Sequence, residues 1–297
     1  MAWSESGWPD EPHVDGMKLV LLVDDARNPL MPDLAAKHGL SMFVELYAGG
    51  HVTRLLMDAG QSAEAVLRNA EKLGIDLRGV DAILLSHGHY DHTGGLIGIL
   101  QHVGRPVPVI THPRALEPKF VLRRKRLKEI GIPFKASEIR RSNGLLSLGK
   151  DARQLSPGAW ASGEIERLAP FEGVEGFKAR RRGKLVNDQL PDDQALFVNL
   201  GGKGLVVITG CAHAGLINTV MQGLRVTGSD ALHAVVGGFH LARAGASRMR
   251  ATVKELLKMG PRAVMPCHCT GSKAMAQLAE AFGERFRRLR TGDSVQF

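Results

Sequence analysis

The densest chemistry in the chain is the stretch Ser86-His87-Gly88-His89-Tyr90-Asp91-His92-Thr93-Gly94-Gly95, which packs three histidines and an aspartate into six positions. His87 and His89 are two apart, so in extended backbone both imidazoles leave on one side and can meet one cation. Asp91 and His92 are adjacent and diverge, which suits a second cation beside the first. Two divalent ions roughly 3.5–4 Å apart can hold a bridging hydroxide and clamp a substrate oxyanion. The alternative is a polar loop with chance histidines, which asks an uncommon residue type to recur three times in six positions.

A dinuclear centre needs more ligands than these. Apolar runs that end in a histidine-bearing turn recur at His87, His213, His240 and His268, so His213 and His268 are the next candidates, with His240 third. In Cys267-His268-Cys269 the two-residue period of extended backbone puts both thiols opposite His268. We therefore expect His268 as the ligand, with the cysteines packed behind it.

The His-x-His-x-Asp-His run followed by Thr93-Gly94-Gly95 resembles the signature of the metallo-β-lactamase superfamily. The resemblance implies a four-layer αββα sandwich with the metals at the shared edge of its two sheets. It does not choose a substrate, because lactamases, thioesterases, lactonases, nucleases and flavodiiron proteins all carry it. Asp58-Ala59-Gly60 matches the D-x-G turn in which the aspartate supports the ligand loop, a need that imidazole ligands generally have; a plain turn aspartate at a helix entrance is the alternative. Two departures stand out. Cys211 occupies the position of the usual bridging aspartate, and no histidine lies between His112 and His213. Cys211 is then either a softer ligand or a small buried residue, and His213 or His240 takes the place of the missing imidazole.

Several phrases resemble one branch of that superfamily: His38-Gly39-Leu40-Ser41, Pro191-Asp192-Asp193-Gln194, Gly210-Cys211-Ala212-His213, Gly237-Gly238-Phe239-His240 and Cys267-His268-Cys269-Thr270-Gly271. It is the branch containing 7,8-dihydropterin-6-yl-methyl-4-(β-D-ribofuranosyl)aminobenzene 5′-phosphate synthase and its bacterial relatives. The implied assignment places His87, His89 and His213 on one ion and Asp91, His92 and His268 on the other. His240 faces the substrate or completes a coordination sphere. Zinc is the first expectation for the two ions, and iron and manganese tolerate the same donors.

The elements that must position these residues are readable from hydrophobic period. Residues 17–24, 80–85, 107–111, 194–199, 204–209, 232–236 and 262–265 read as strands, and 41–47 with 52–57 as a hairpin. Residues 62–73 and 247–259 have helical spacing. Residues 1–16 read as a flexible lead before a single domain, 17–297, which carries a basic insertion or lid at about 114–193. Within the insertion Arg123-Arg124-Lys125-Arg126 reads first as a solvated surface. Arg180, Arg181, Arg182 and Lys184 are candidates for meeting a phosphate.

The chain has 297 residues, a formal net charge of +9 and 44% hydrophobic content, ordinary for a globular protein that favours an anionic partner. Its three cysteines form no disulfide framework. No run of about 18 apolar residues exists, so we expect no membrane span and a cytoplasmic location. The expected function is that of a metal-dependent hydrolase, or a synthase-like transferase, acting on a small anionic, phosphorylated, pterin-related substrate. A metal-held water that ionises near neutral pH, or a metal-stabilised leaving group, would drive it, with Asp91 orienting water or relaying a proton. A nuclease or phosphodiesterase using the basic segment on RNA or DNA is one alternative. A non-catalytic metal- or ligand-binding protein of the same fold is another. Oligomeric state is left open.

Overall fold

Leu19-Val20-Leu21-Leu22-Val23 is buried on both faces, because consecutive strand residues point to opposite sides of a sheet that is covered on both. Leu19 and Leu21 meet the core between the sheets, while Val20 and Leu22 meet a helix layer outside it. The computed structural model describes residues 13–123 and 126–297.

In chain order, β1 (Gly16–Val23) is followed by the hairpin β2 (Ser41–Ala48) and β3 (His51–Met57), then α1 (Ala63–Lys72), β4 (Ala82–Leu84), α2 (Tyr90–Thr93), α3 (Leu96–Val103) and β5 (Val107–Thr111). Next come β6 (Lys119–Arg123), β7 (Arg126–Glu129), α4 (Ala136–Arg141), β8 (Gly144–Leu148), β9 (Arg153–Ser156), β10 (Ala159–Ala161), β11 (Phe177–Arg181) and β12 (Lys184–Asn187). The chain closes with β13 (Ala195–Leu200), β14 (Gly204–Thr209), α5 (Leu216–Thr227), β15 (Leu232–Gly238), α6 (Ala246–Met259), β16 (Ala263–Cys267), α7 (Ser272–Phe282) and β17 (Ser294–Gln296).

One sheet has the order β17-β1-β2-β3-β4-β5-β8 and the other β16-β15-β14-β13-β10-β9. Their facing sides share a core that includes Leu21, Val44, Leu55, Leu84, Leu196, Val206, Ile208 and Val236. A second cluster packs α1 and α3 on the outside of the first sheet, and a third packs α5, α6 and α7 on the outside of the second. That is the expected αββα sandwich. Strands β3, β4 and β5 run parallel, as do β14, β15 and β16, so the turns leaving their C-terminal ends collect at a common edge.

The small sheet β12-β11-β6-β7 was not expected. Arg123 and Arg126, at the ends of the basic run, pair between β6 and β7, and Arg124 and Lys125 lie outside the described residues. The segment read as one insertion, 114–193, is divided. β8 extends the first sheet, and the β9–β10 hairpin belongs to the second, with Leu155, Ala159 and Ala161 in the inter-sheet core. Ser156-Pro157-Gly158, read as a lid turn, closes that hairpin, with Gly158 at φ +69°. The expected lead, 1–16, overlaps residues that pack into the fold. Residues 1–12 lie outside the described residues, but Val14 is buried, bridges Leu200, and its N–H donates to the Asn199 carbonyl. No helix among the described residues is long and apolar enough to cross a membrane.

Leu196 is fully buried between the sheets. We expect Leu196→Ala to cost about 2–5 kcal/mol through lost burial and a residual cavity, read as a lower urea midpoint with an unchanged m-value.

Candidate metal centre

Four ligand-bearing turns leave β4, β14, β15 and β16 at the same edge. Three of them hold a non-glycine residue in left-handed backbone, Ala212 (φ 52°), His240 (46°) and His268 (49°), as does the turn after β3 at Asp58 (62°). Gly88 is required for a different reason. A Cβ there would lie 2.1 Å from the Ala115 carbonyl oxygen, so only glycine lets the His87–His89 turn sit against its neighbour.

The rings converge. His87 lies with its centroid 4.5 Å from His89, 4.2 Å from His92 and 4.7 Å from His213; His92 is 5.0 Å from His268, and His213 is 4.2 Å from His240. His87 Nε2 and His89 Nδ1 are 2.8 Å apart. Asp91 Oδ2 stands 3.8 Å from His92 Nε2 and 3.7 Å from His268 Nε2. Cys211 Sγ is 3.2 Å from His92 Nε2. It joins two three-donor groups whose ligand atoms all lie within 4.8 Å of one another, one with His87 and His213 and one with His92 and His268. Cys211, left by the sequence as either a ligand or a small buried residue, thus stands among the other donors.

Asp58 sets the imidazole protons. Its Oδ2 accepts from the Ser86 hydroxyl at 2.7 Å and faces His92 Nδ1 at 2.6 Å, while its Oδ1 accepts from the Ser86 N–H. A carboxylate only accepts, so His92 carries its proton on Nδ1. Ser86, having spent its own proton on Asp58, accepts one from His87 Nδ1 at 2.9 Å. Both Nε2 lone pairs then point into the cluster. The remaining buried nitrogens His89 Nε2, His213 Nδ1, His213 Nε2 and His240 Nδ1 find no partner among the described residues. Buried polar atoms are seldom left so, and unmatched imidazole nitrogens around a thiol and a carboxylate fit borderline-soft divalent metals.

Charge follows burial. Desolvation, helped by His92, His89 and His213, holds His87 well below the usual histidine pKa. Desolvation and His240 do the same to His213, and desolvation holds His89 at about 4 although Asp91 opposes it. His268 goes the other way: burial pulls it down, but the hydrogen bond to Asp25, with Cys269 and Asp91 nearby, carries it to about 10. Burial would raise Asp91 and Asp25, yet His92 and His268 hold the first, and His268 and His38 the second, below the usual carboxylate range. Burial and Cys269 push the Cys211 thiol up. Burial opposes ionisation of Cys269, but hydrogen bonding with Cys211 and with the His240 side chain draws it down.

Cys269 corrects an expectation. Cys267 is buried in the inter-sheet core, but Cys269 faces the cluster and accepts the His240 N–H at 3.3 Å. Strand alternation ends at Cys267, where a 3₁₀ turn over His268–Thr270 begins. Both His268 and Cys269 therefore reach the same side.

The centre forms the floor of a cleft of about 790 Å³. His240 and Asp91, the residues expected to serve catalysis, both line it. The cationic lining is Arg123, Lys128, Arg243 and Arg248. The structure does not bring Arg180, Arg181, Arg182 and Lys184 there. Arg181 is paired with Glu117 and Asp188, Arg180 lies over the Phe120 ring, and Arg182 and Lys184 are exposed at the β11–β12 turn. The strand before that turn instead presents Phe177, stacked on His89 at 5.3 Å. His112 serves packing: it is buried, and its Nδ1 accepts the Arg114 N–H.

Pattern reading missed the device that grips the ligand turns. Asp192 accepts the Gly88 N–H, Asp193 accepts the Ala214 N–H, and the Gln194 N–H donates to the Ser86 carbonyl. Lys119, only 1% exposed, reaches Asp188 and Asp192 at 2.7 Å each. The phrase Pro191-Asp192-Asp193-Gln194 was the signal, but nothing local in it says what it touches. His38 and Asp25 were also missed; His38 Nε2 stands 3.5 Å from Asp91 Oδ2, and Asp25 Oδ1 stands 3.3 Å from both His38 Nδ1 and His268 Nδ1.

A two-sheet sandwich with histidine, aspartate and cysteine donors at one sheet edge defines a metal-binding protein. The chain belongs to the metallo-beta-lactamase superfamily, whose profile matches residues 38–268. It is 35% identical, over 96% of its length, to 98% of the 7,8-dihydropterin-6-methyl-4-(beta-D-ribofuranosyl)-aminobenzene-5'-phosphate synthase of Methanocaldococcus jannaschii. It is 32% identical to an uncharacterized protein of the same organism, covering 88% of this chain and 93% of that one. Among solved structures, a metal-dependent hydrolase of the beta-lactamase superfamily superposes with a TM-score of 0.79 at 28% identity, covering 94% of this chain and 98% of that one. These matches bear out the superfamily, the fold and the branch read from the motifs.

Two outcomes are expected. Asp58→Ala removes the acceptor that fixes His92 and Ser86 and should weaken zinc uptake by the apo chain about 10–100-fold, read by competition with a chromophoric chelator. Lys119→Met leaves Asp188 and Asp192 buried without their cation and should cost about 3–5 kcal/mol, read by urea unfolding.

Proposed function

We propose that this chain is a divalent-metal-dependent enzyme acting on a small phosphorylated substrate that carries a planar heteroaromatic ring of the pterin type. The supporting observation is the combination in one cleft: unmatched donors on the floor, aromatic Phe177 and Phe171 on the wall, and Arg123, Lys128, Arg243 and Arg248 around it. The name of the M. jannaschii relative, a 7,8-dihydropterin-6-methyl-4-(beta-D-ribofuranosyl)-aminobenzene-5'-phosphate synthase, fits that lining.

His87, His89 and His213 would hold one ion and Asp91, His92 and His268 the other, with Cys211 between them; zinc is the first choice. When bound, the ions supply Lewis acidity toward an anionic leaving group or a water. The chain's own groups do the rest. Phe177 offers a flat face beside His89 and His213, the four cationic side chains attract the phosphorylated end, and Asp91, linked through His38 to Asp25, can take and return a proton at the cleft floor. The reading places the protein in the cytoplasm, where its three unpaired thiols stay reduced.

Arg123 and Lys128 also support a second reading, a nuclease or phosphodiesterase, since that basic hairpin reaches the cleft. The two readings separate by assay. Incubation with a dihydropterin pyrophosphate and the aminobenzene riboside phosphate should give the coupled product and pyrophosphate with metal and none after chelation. No turnover under either condition removes the synthase form, and RNA binding with a steep salt slope would replace it.

The ligand protons give a further expectation. In the apo chain at pH 7, nitrogen NMR should show His87, His89 and His213 neutral and His268 protonated. Protons compete for His268 below its pKa of about 10, so affinity at that position should rise with pH, by about tenfold per unit where one proton leaves.

A further inference from the structure

The two ions of the proposed function use two of the four three-donor groups among the described residues. A third is Cys211, His240 and Cys269, whose ligand atoms also lie within 4.8 Å of one another. It differs from the others in chemistry, having two sulfurs and one imidazole and no carboxylate. His240 Nδ1 is buried and has no partner among the described residues. The space for the second sulfur is built in. A Cβ on Gly238 would come 2.8 Å from Cys269 Sγ and 3.4 Å from Cys211 Cα, so the bare glycine leaves room for the thiol beside the other cysteine's backbone. His240 itself and His268, next to Cys269, both hold left-handed backbone (φ 46° and 49°).

We propose that Cys211, His240 and Cys269 form a third coordination site, which takes a thiophilic divalent ion and shares Cys211 with the imidazole-rich pair. Two thiolates and an imidazole are a zinc-type donor set, and three protein donors leave a fourth tetrahedral position toward the cleft that Cys269 and His240 line. The site stands on the sulfur geometry and does not depend on the substrate assignment.

The test is a titration of the metal-free full chain with Co²⁺ under reducing conditions, followed by optical absorption and metal content. The wild type should bind one more equivalent than Cys269→Ser or His240→Ala and show a stronger thiolate-to-cobalt charge-transfer band, with circular dichroism reporting that the variants fold. A second measurement needs only the wild-type fold. Alkylation of Cys269 by iodoacetamide, located by peptide mass, should slow about tenfold on adding Zn²⁺, because a coordinated thiolate is no longer a free nucleophile. Equal metal content and equal band intensity in wild type and Cys269→Ser would overturn the site, as would zinc-independent alkylation of Cys269.

Discussion

Where the protons of the buried imidazoles sit decides what the cleft floor can be, and for two rings that decision belongs to one carboxylate. Asp58 has no exposed surface and three donors on its two oxygens: the Ser86 N–H, the Ser86 hydroxyl and His92 Nδ1. Each donor it fixes removes a rotational or tautomeric choice from the cluster. Ser86 cannot donate to both Asp58 and His87, so His87 must donate to Ser86. One buried charge thereby presents two lone pairs to a common centre. Without it the other tautomers would be open to these rings, and His87 Nε2 and His89 Nδ1 already lie 2.8 Å apart.

The second constraint is mechanical. The Asp188–Gln194 segment holds the turn before His89 and the turn after His213 through backbone N–H and carbonyl groups, so the two ligand loops cannot drift apart independently. Lys119 ties that segment to the small sheet, and the same sheet carries Phe177, Arg123 and Lys128 into the cleft. Cleft wall and cleft floor are therefore joined by a buried ion triad. Such triads add little net stability compared with apolar packing, but removing one member leaves uncompensated charge. That asymmetry gives register rather than strength.

These two constraints mark what could be read beforehand. His87, His213, His240 and His268 were legible because each follows an apolar run, and strand ends at one edge must lie together once the sheets form. Asp58 was legible through the D-x-G turn. The direction of Cys269 was not, because alternation holds only while the backbone is extended, and the chain enters a 3₁₀ turn at His268. Arg180 to Lys184 looked like a phosphate grip, since charge shows in composition, but the cleft-facing end of that hairpin is Phe177. Its position is set by pairing with Val121, a contact 56 residues away in sequence that no local pattern encodes. Lys119 reads as one more basic residue in a basic stretch. Only its partners, Asp188 and Asp192, distinguish it.

Placing so many donors together has an energetic cost that the fold has to carry. Asp58, Ala212, His240 and His268 all sit in left-handed backbone without being glycine, and each such residue costs on the order of 1–3 kcal/mol. His213 keeps two buried nitrogens unmatched, and His240 and His89 one each. A chain folding for stability alone would relax these turns and turn the imidazoles toward water. Here the turns are anchored at both ends, by β3, β14, β15 and β16 on the core side and by α1, α5, α6 and α7 on the other, so relaxation would have to break sheet pairing. Strain and unmatched donors are concentrated in the same few residues, and a bound cation is the ligand that would relieve the unmatched donors most directly.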